Sequence, residues 1–90
     1  MSHGLSDQAA AVLGVMADKA PETFAATVRF LPAIAAAHEA GTVPPGATPT
    51  DRWGDLYDAA VPGASVIVEW FTGDPQALTI TRITWLEAGG

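Results

Sequence analysis

The sequence predicts an α+β domain, with a helical hairpin packed on a small two- or three-stranded antiparallel β-sheet. Three observations carry this. Residues 7–41 repeat apolar side chains at helical spacing, residues 65–86 gather β-branched and aromatic residues around a tight turn, and a proline-rich stretch separates the halves. An apolar content of 49% suits a folded chain, and 90 residues suit one small domain with a modest core.

Residues 1–6 (MSHGLS) hold no periodic apolar pattern and are expected to form a disordered start. Ser6 or Asp7 then caps a first helix running to about Lys19, because Ala9, Val12, Leu13 and Met16 fall on one stripe. Lys19 suits the negative pole of that helix. Pro21 is well placed as the first residue of a second helix, with Glu22 near its positive end. This helix should reach Ala40, with Gly41 just past its end. Phe24, Val28, Leu31 and Ala35 form its stripe, with Thr27, Phe30 and Ile34 beside them. Pro32 lies within the pattern and predicts a kink or break near Leu31, since it removes a backbone donor and crowds the preceding turn.

Residues 42–50 (TVPPGATPT) read as a loop of extended character, too short to separate a pair of domains. Residues 51–61 fit two descriptions. Trp53, Leu56, Tyr57 and Ala60 have helical spacing, yet WGDLYDAAV also reads as a strand ending at the Pro62-Gly63 turn. The strand is favoured, because Pro62-Gly63-Ala64 is a short hairpin connection and a lone two-stranded ribbon is weak.

Residues 65–72 and 77–86 form the best-marked hairpin, turned by Gly73, Asp74 and Pro75. Centring the turn between Asp74 and Pro75 sets Phe71 opposite Leu78, Trp70 opposite Thr79, Val68 opposite Thr81 and Val66 opposite Ile83. Val66, Val68, Trp70, Thr79, Thr81, Ile83 and Trp85 then share one face, and Ile67, Glu69, Phe71, Leu78, Ile80 and Arg82 the other. Glu69 and Arg82 lie diagonally across the pair. Trp70, Trp85, Val66, Val68 and Ile83 supply the sheet side of the core, and Phe24, Val28, Leu31, Leu13 and Met16 the helix side. The apolar second face predicts a twofold-related subunit, hence a homodimer. Residues 87–90 form a tail.

Charge bounds function. Four Lys and Arg stand against ten Asp and Glu, giving a net charge of −6, and nucleic-acid partners are not expected of so acidic a chain. Acidity favours a basic protein partner. The absence of cysteine excludes disulfides and thiolate metal sites. MSHGLSDQ lacks the charged-then-apolar order of a secretory signal, and no apolar run approaches the ~20 residues of a membrane span. A cytoplasmic protein without membrane contact is expected.

Chemistry-bearing residues are sparse. His38 and Glu39 are adjacent on a helix, point about 100° apart, and so form no catalytic dyad. Asp51, Asp55 and Asp58 cluster around Tyr57, and a carboxylate there, or Glu69 with Arg82 nearby, is the material available for acid–base work. Trp53, Tyr57, Trp70, Phe71 and Trp85 are the candidate binding residues, either as a pocket for an apolar or cationic ligand or as core and interface. No metal-ligand spacing, phosphate loop or Ser–His–Asp set occurs, so neither metal nor cofactor is expected.

Helix, helix, proline-rich loop, then strands on WGDLYDAAV, GASVIVEWF and ALTITRITWL: this order resembles the RelE/ParE superfamily of small bacterial toxins. The likeness lies in the aromatic-Leu-Tyr-acidic run from Trp53 to Asp58 and in a hairpin whose first strand ends Glu69-Trp70-Phe71. It implies a helical hairpin on a twisted antiparallel sheet, and an antitoxin-like protein partner. Two features depart from the pattern. Members begin with a β-strand, which MSHGLSD is not expected to supply. Ribonucleolytic members carry basic residues or Tyr on the sheet and near the C-terminus, where this chain has Val66, Val68, Glu69 and Glu87-Ala88-Gly89-Gly90. The first functional reading is therefore a toxin-like module that binds protein and lacks nuclease activity. The second is a small ligand-binding protein or acid–base enzyme, using the aromatic pocket with Asp55, Asp58 or Glu69.

Overall fold

A computed structural model describes residues 2–86. These residues form an α+β fold, with two helices and a five-stranded mixed sheet. Strand β1 (Ser2–Leu5) leads into α1 (Asp7–Lys19) and α2 (Pro21–Glu39), followed by β2 (Thr48–Pro49), β3 (Leu56–Ala60), β4 (Val66–Phe71) and β5 (Ala77–Trp85). The order across the sheet is β1-β5-β4-β3-β2, with β1 parallel to β5 and the other neighbours antiparallel. The expected tail at residues 87–90 lies outside the described residues.

The sheet is larger than the two or three strands predicted. The expected disordered start is instead β1, whose Ser2–Leu5 backbone pairs along Ala77 to Ile80. Nothing in SHGL favours a strand locally; the exposed edge of β5 supplies the partner. The proline-rich loop likewise contributes β2, which pairs Thr48 with Asp58 and Pro49 with Tyr57. For residues 56–60 the strand alternative holds.

Both helix starts follow from local chemistry. Ser6 caps α1 by accepting a hydrogen bond from the Ala9 N–H at 3.1 Å, and Pro21 opens α2 where its missing N–H costs nothing. Gly41, at φ 74°, takes the left-handed conformation just past α2. No break occurs at Pro32, and α2 runs through it unbroken. Proline removes the donor that would meet the Val28 carbonyl, and the helix carries that loss at Val28, a residue 39% exposed.

Hairpin register is the main correction. The β4–β5 turn is one residue longer than predicted: Phe71 faces Thr79 and Trp70 faces Ile80. Side chains alternate with period two, so this slip moves Leu78 and Ile80 from the outer face to the core face, where each is 3% exposed. Thr79 moves the other way. A bulge then inserts Thr81 between the Trp70–Ile80 and Glu69–Arg82 pairs. That second shift restores parity, so Ile83 and Trp85 stay on the core face as expected. Thr81 secures the bulge, donating its hydroxyl to the Glu69 carboxylate Oε1 at 2.7 Å and lying 3.2 Å from the Glu69 carbonyl.

The core joins Ala9, Leu13 and Met16 of α1 and Ile34 of α2 to Val66, Val68, Trp70, Leu78, Ile80 and Ile83 of the sheet. Trp85 is only half-buried, and Phe24 and Leu31 flank the cluster. Val28, predicted as core, is exposed, because α2 turns Thr27 and Ile34 inward instead. Thr27 is fully buried and satisfied by the Thr23 carbonyl at 2.9 Å.

Candidate functional site

The site is set by how the two helices sit on the sheet. Beyond Ile80, β5 has lost β1 as a neighbour, and the start of α1 takes its place. The Ser6 N–H donates to the Ile80 carbonyl at 2.9 Å and the Ser6 hydroxyl to the Thr81 carbonyl at 2.7 Å. The Gln8 side chain then acts as a substitute peptide group. Its Nε2 donates to the Ile83 carbonyl at 3.0 Å, and its Oε1 accepts the Ile83 N–H at 2.9 Å. These bonds pin α1 against β5 and leave α2 to pack chiefly on α1.

Because α2 rests on its neighbour helix rather than squarely on the sheet, a trough opens beside it. Leu78 and Ile80 form its floor, Gly4 and Leu5 of β1 its far lip, and Val28, Leu31, Pro32 and Ala35 its wall. Glu39 supplies a carboxylate at one end. The groove has a volume of about 610 Å³, and Leu5 and Val28 stand 45% and 39% exposed along it. Gly4 leaves the lip bare, with no atom within 4 Å of where a Cβ would lie. An open apolar trough along nearly three helical turns fits a side-chain stripe of another element better than a small polar substrate.

The predicted aromatic residues do not converge on one cavity. Trp70 is 1% exposed, a core residue, with Tyr57 stacked on it at 6.3 Å between ring centroids. Trp53 is 72% exposed, with the Arg52 guanidinium 4.9 Å from its ring centroid. Its turn is held by Asp51, whose Oδ1 accepts the N–H groups of Gly54, Asp55 and Leu56 at 2.9, 3.0 and 3.3 Å. Phe71 projects from the outer sheet face, and Trp85 lies at the far end of β5 beside Val12 and Val15 of α1.

The acid–base candidates are also dispersed. Asp58, Glu69 and Arg82 form a row across β3, β4 and β5 on the outer face, with Glu69 directly opposite Arg82 rather than diagonal to it. Asp55 sits at the Trp53 turn, where its carbonyl accepts the Thr72 N–H at 2.6 Å. His38 is engaged elsewhere: its Nε2 donates to the Asp74 carbonyl at 2.8 Å, tying the end of α2 to the β4–β5 turn. Tyr57 and His38 border a second hollow of about 360 Å³, whose lining includes no carboxylate. No group of three potential metal ligands occurs among the described residues.

Leu5, Pro32, Leu78 and Ile80 were the groove residues the sequence did not reveal. One signal was present: α2 carries apolar residues around more of its circumference than a two-helix contact can cover. No protein-family model, curated protein or solved structure matches this chain.

Proposed function

We propose that the protein is a RelE/ParE-toxin-like module that acts in the cytoplasm by binding another protein and does not cleave RNA. The single observation that carries this is the open apolar groove between α2 and the β1–β5 edge of the sheet. Its surface is costly to leave in water, and its shape suits an amphipathic segment laid along α2. Two further features support the likeness to that superfamily. A strand precedes the helical hairpin, and a meander of strands follows it. At the sheet positions where nucleolytic members carry bases, Val66 and Val68 point into the core and Glu69 is engaged by Thr81. An antitoxin-like helix with basic residues suits both the trough and the net charge of −6. The ligand-binding alternative now rests on the hollow beside Tyr57, which offers no acid–base carboxylate.

A displayed library of helical peptides tests the reading. Selection on the purified protein should enrich sequences with apolar residues at i, i+3, i+4 and i+7 plus Lys or Arg. The same peptides should fail on the Leu31→Asp variant. No enrichment, or enrichment indifferent to that substitution, would remove the groove as the binding surface.

A further inference from the structure

The groove wall has a property that singles out one occupant. Along α2, Val28, Leu31, Pro32, Ala35 and Ala36 line the trough over roughly 12 Å, at 1.5 Å per residue. The exposed Arg29 flanks one end, one helical turn from Pro32, and Glu39 closes the other. The stripe is therefore apolar in the middle and oppositely charged at its ends. Two such stripes laid antiparallel about a twofold axis at the level of Ile34 put each Arg29 beside the other copy's Glu39. A parallel pairing would set like charges together at both ends.

We infer that the groove is filled by α2 of a second copy of this chain, giving a homodimer in which each α2 lies in the other's trough. This rests on the reading of the groove as a protein-binding surface and names its resident partner. Ala35 and Ala36 are small enough to let the two helix backbones approach closely, and the aliphatic stem of Glu39 covers the exposed Val28 opposite it. Symmetry doubles each contact, and the seam itself is charge-balanced although each copy carries −6. The sequence placed a dimer seam on the outer sheet face, with Ile67, Phe71, Leu78 and Ile80; the seam inferred here lies on the helix side, where Leu78 and Ile80 are core residues at the floor of the trough. A foreign helix must displace the second copy to enter.

Sedimentation equilibrium over micromolar to hundreds of micromolar, with circular dichroism as the folding control, tests this. The wild type should be dimeric. Arg29→Glu and Glu39→Arg should each weaken the dimer about tenfold, since each turns two attractions into two repulsions. The double variant Arg29→Glu/Glu39→Arg should recover to within about threefold of wild type, because the pairing is swapped and not lost. Ala35→Glu should give a folded monomer. A monomeric wild type, a dimer indifferent to all four variants, or a double variant no better than the singles overturns the inference. A monomeric wild type that still binds the selected helical peptides defeats the dimer and leaves the groove reading standing; failure of both defeats both.

Discussion

Single side chains decide how this small fold is held at its weakest seam. The sheet would fray where β1 ends at Leu5, since the β5 backbone from Thr81 onward faces no strand on that side among the described residues. Gln8 closes the gap with two hydrogen bonds to Ile83, a residue with no exposed surface. Gln8→Ala should therefore lower stability by about 1–2 kcal/mol, the cost of leaving a buried donor and acceptor without protein partners. Urea denaturation measures it, and a loss below about 0.3 kcal/mol would mean that water replaces the amide without penalty. Two glycines show different reasons for the same residue. Gly63, at φ 79° after Pro62, meets the positive-φ demand of its turn. Gly73 has no positive φ; its bare backbone lets the exposed Phe71 ring lie over it, and a Cβ there would make that ring shift.

At the level of elements, β5 and α2 each break the rule their sequence suggests, and each breach builds the groove. The longer turn and the Thr81 bulge in β5 bring Leu78, Ile80 and Ile83 to one face despite their uneven spacing. In α2, Pro32 interrupts the hydrogen-bond ladder on the side that lines the trough. A proline inside a helix costs ~3 kcal/mol relative to alanine, some of which relaxation recovers. Pro32→Ala should then raise the melting temperature, by about 1–2 kcal/mol of added stability in the monomeric Ala35→Glu background. A fall in stability there would show that the ring's packing against the groove outweighs the lost backbone bond.

For the whole molecule, charge and covering matter most. Both helices lie on one side of the sheet, and the opposite side presents Asp58, Glu69, Phe71, Arg82 and Thr84 with no described element over it. Leu56 and Ile67 share that face, so apolar and polar side chains are mixed on it. No helix among the described residues is long and apolar enough to cross a membrane. With a net charge of −6 and only four cationic side chains, the protein should show no salt-sensitive retention of RNA in a filter-binding assay at about 0.1 M salt. Tight binding that weakens steeply between about 50 and 200 mM salt would contradict the proposed function.

Composition and local pattern determined the fold class, both helices with Ser6 and Pro21 at their starts, the strand at residues 56–60 and the hairpin from Val66 to Trp85. These depend on forces acting within a few residues: capping, periodicity, β-branching and turn chemistry. Strand β1, the five-strand order, the face on which Leu78 and Ile80 lie, and the groove were decided by the tertiary structure alone. An edge strand borrows its hydrogen bonds from a partner more than seventy residues away, and one extra turn residue inverts a strand's two faces. A trough between elements belongs to neither of them, so it exists only once both have packed.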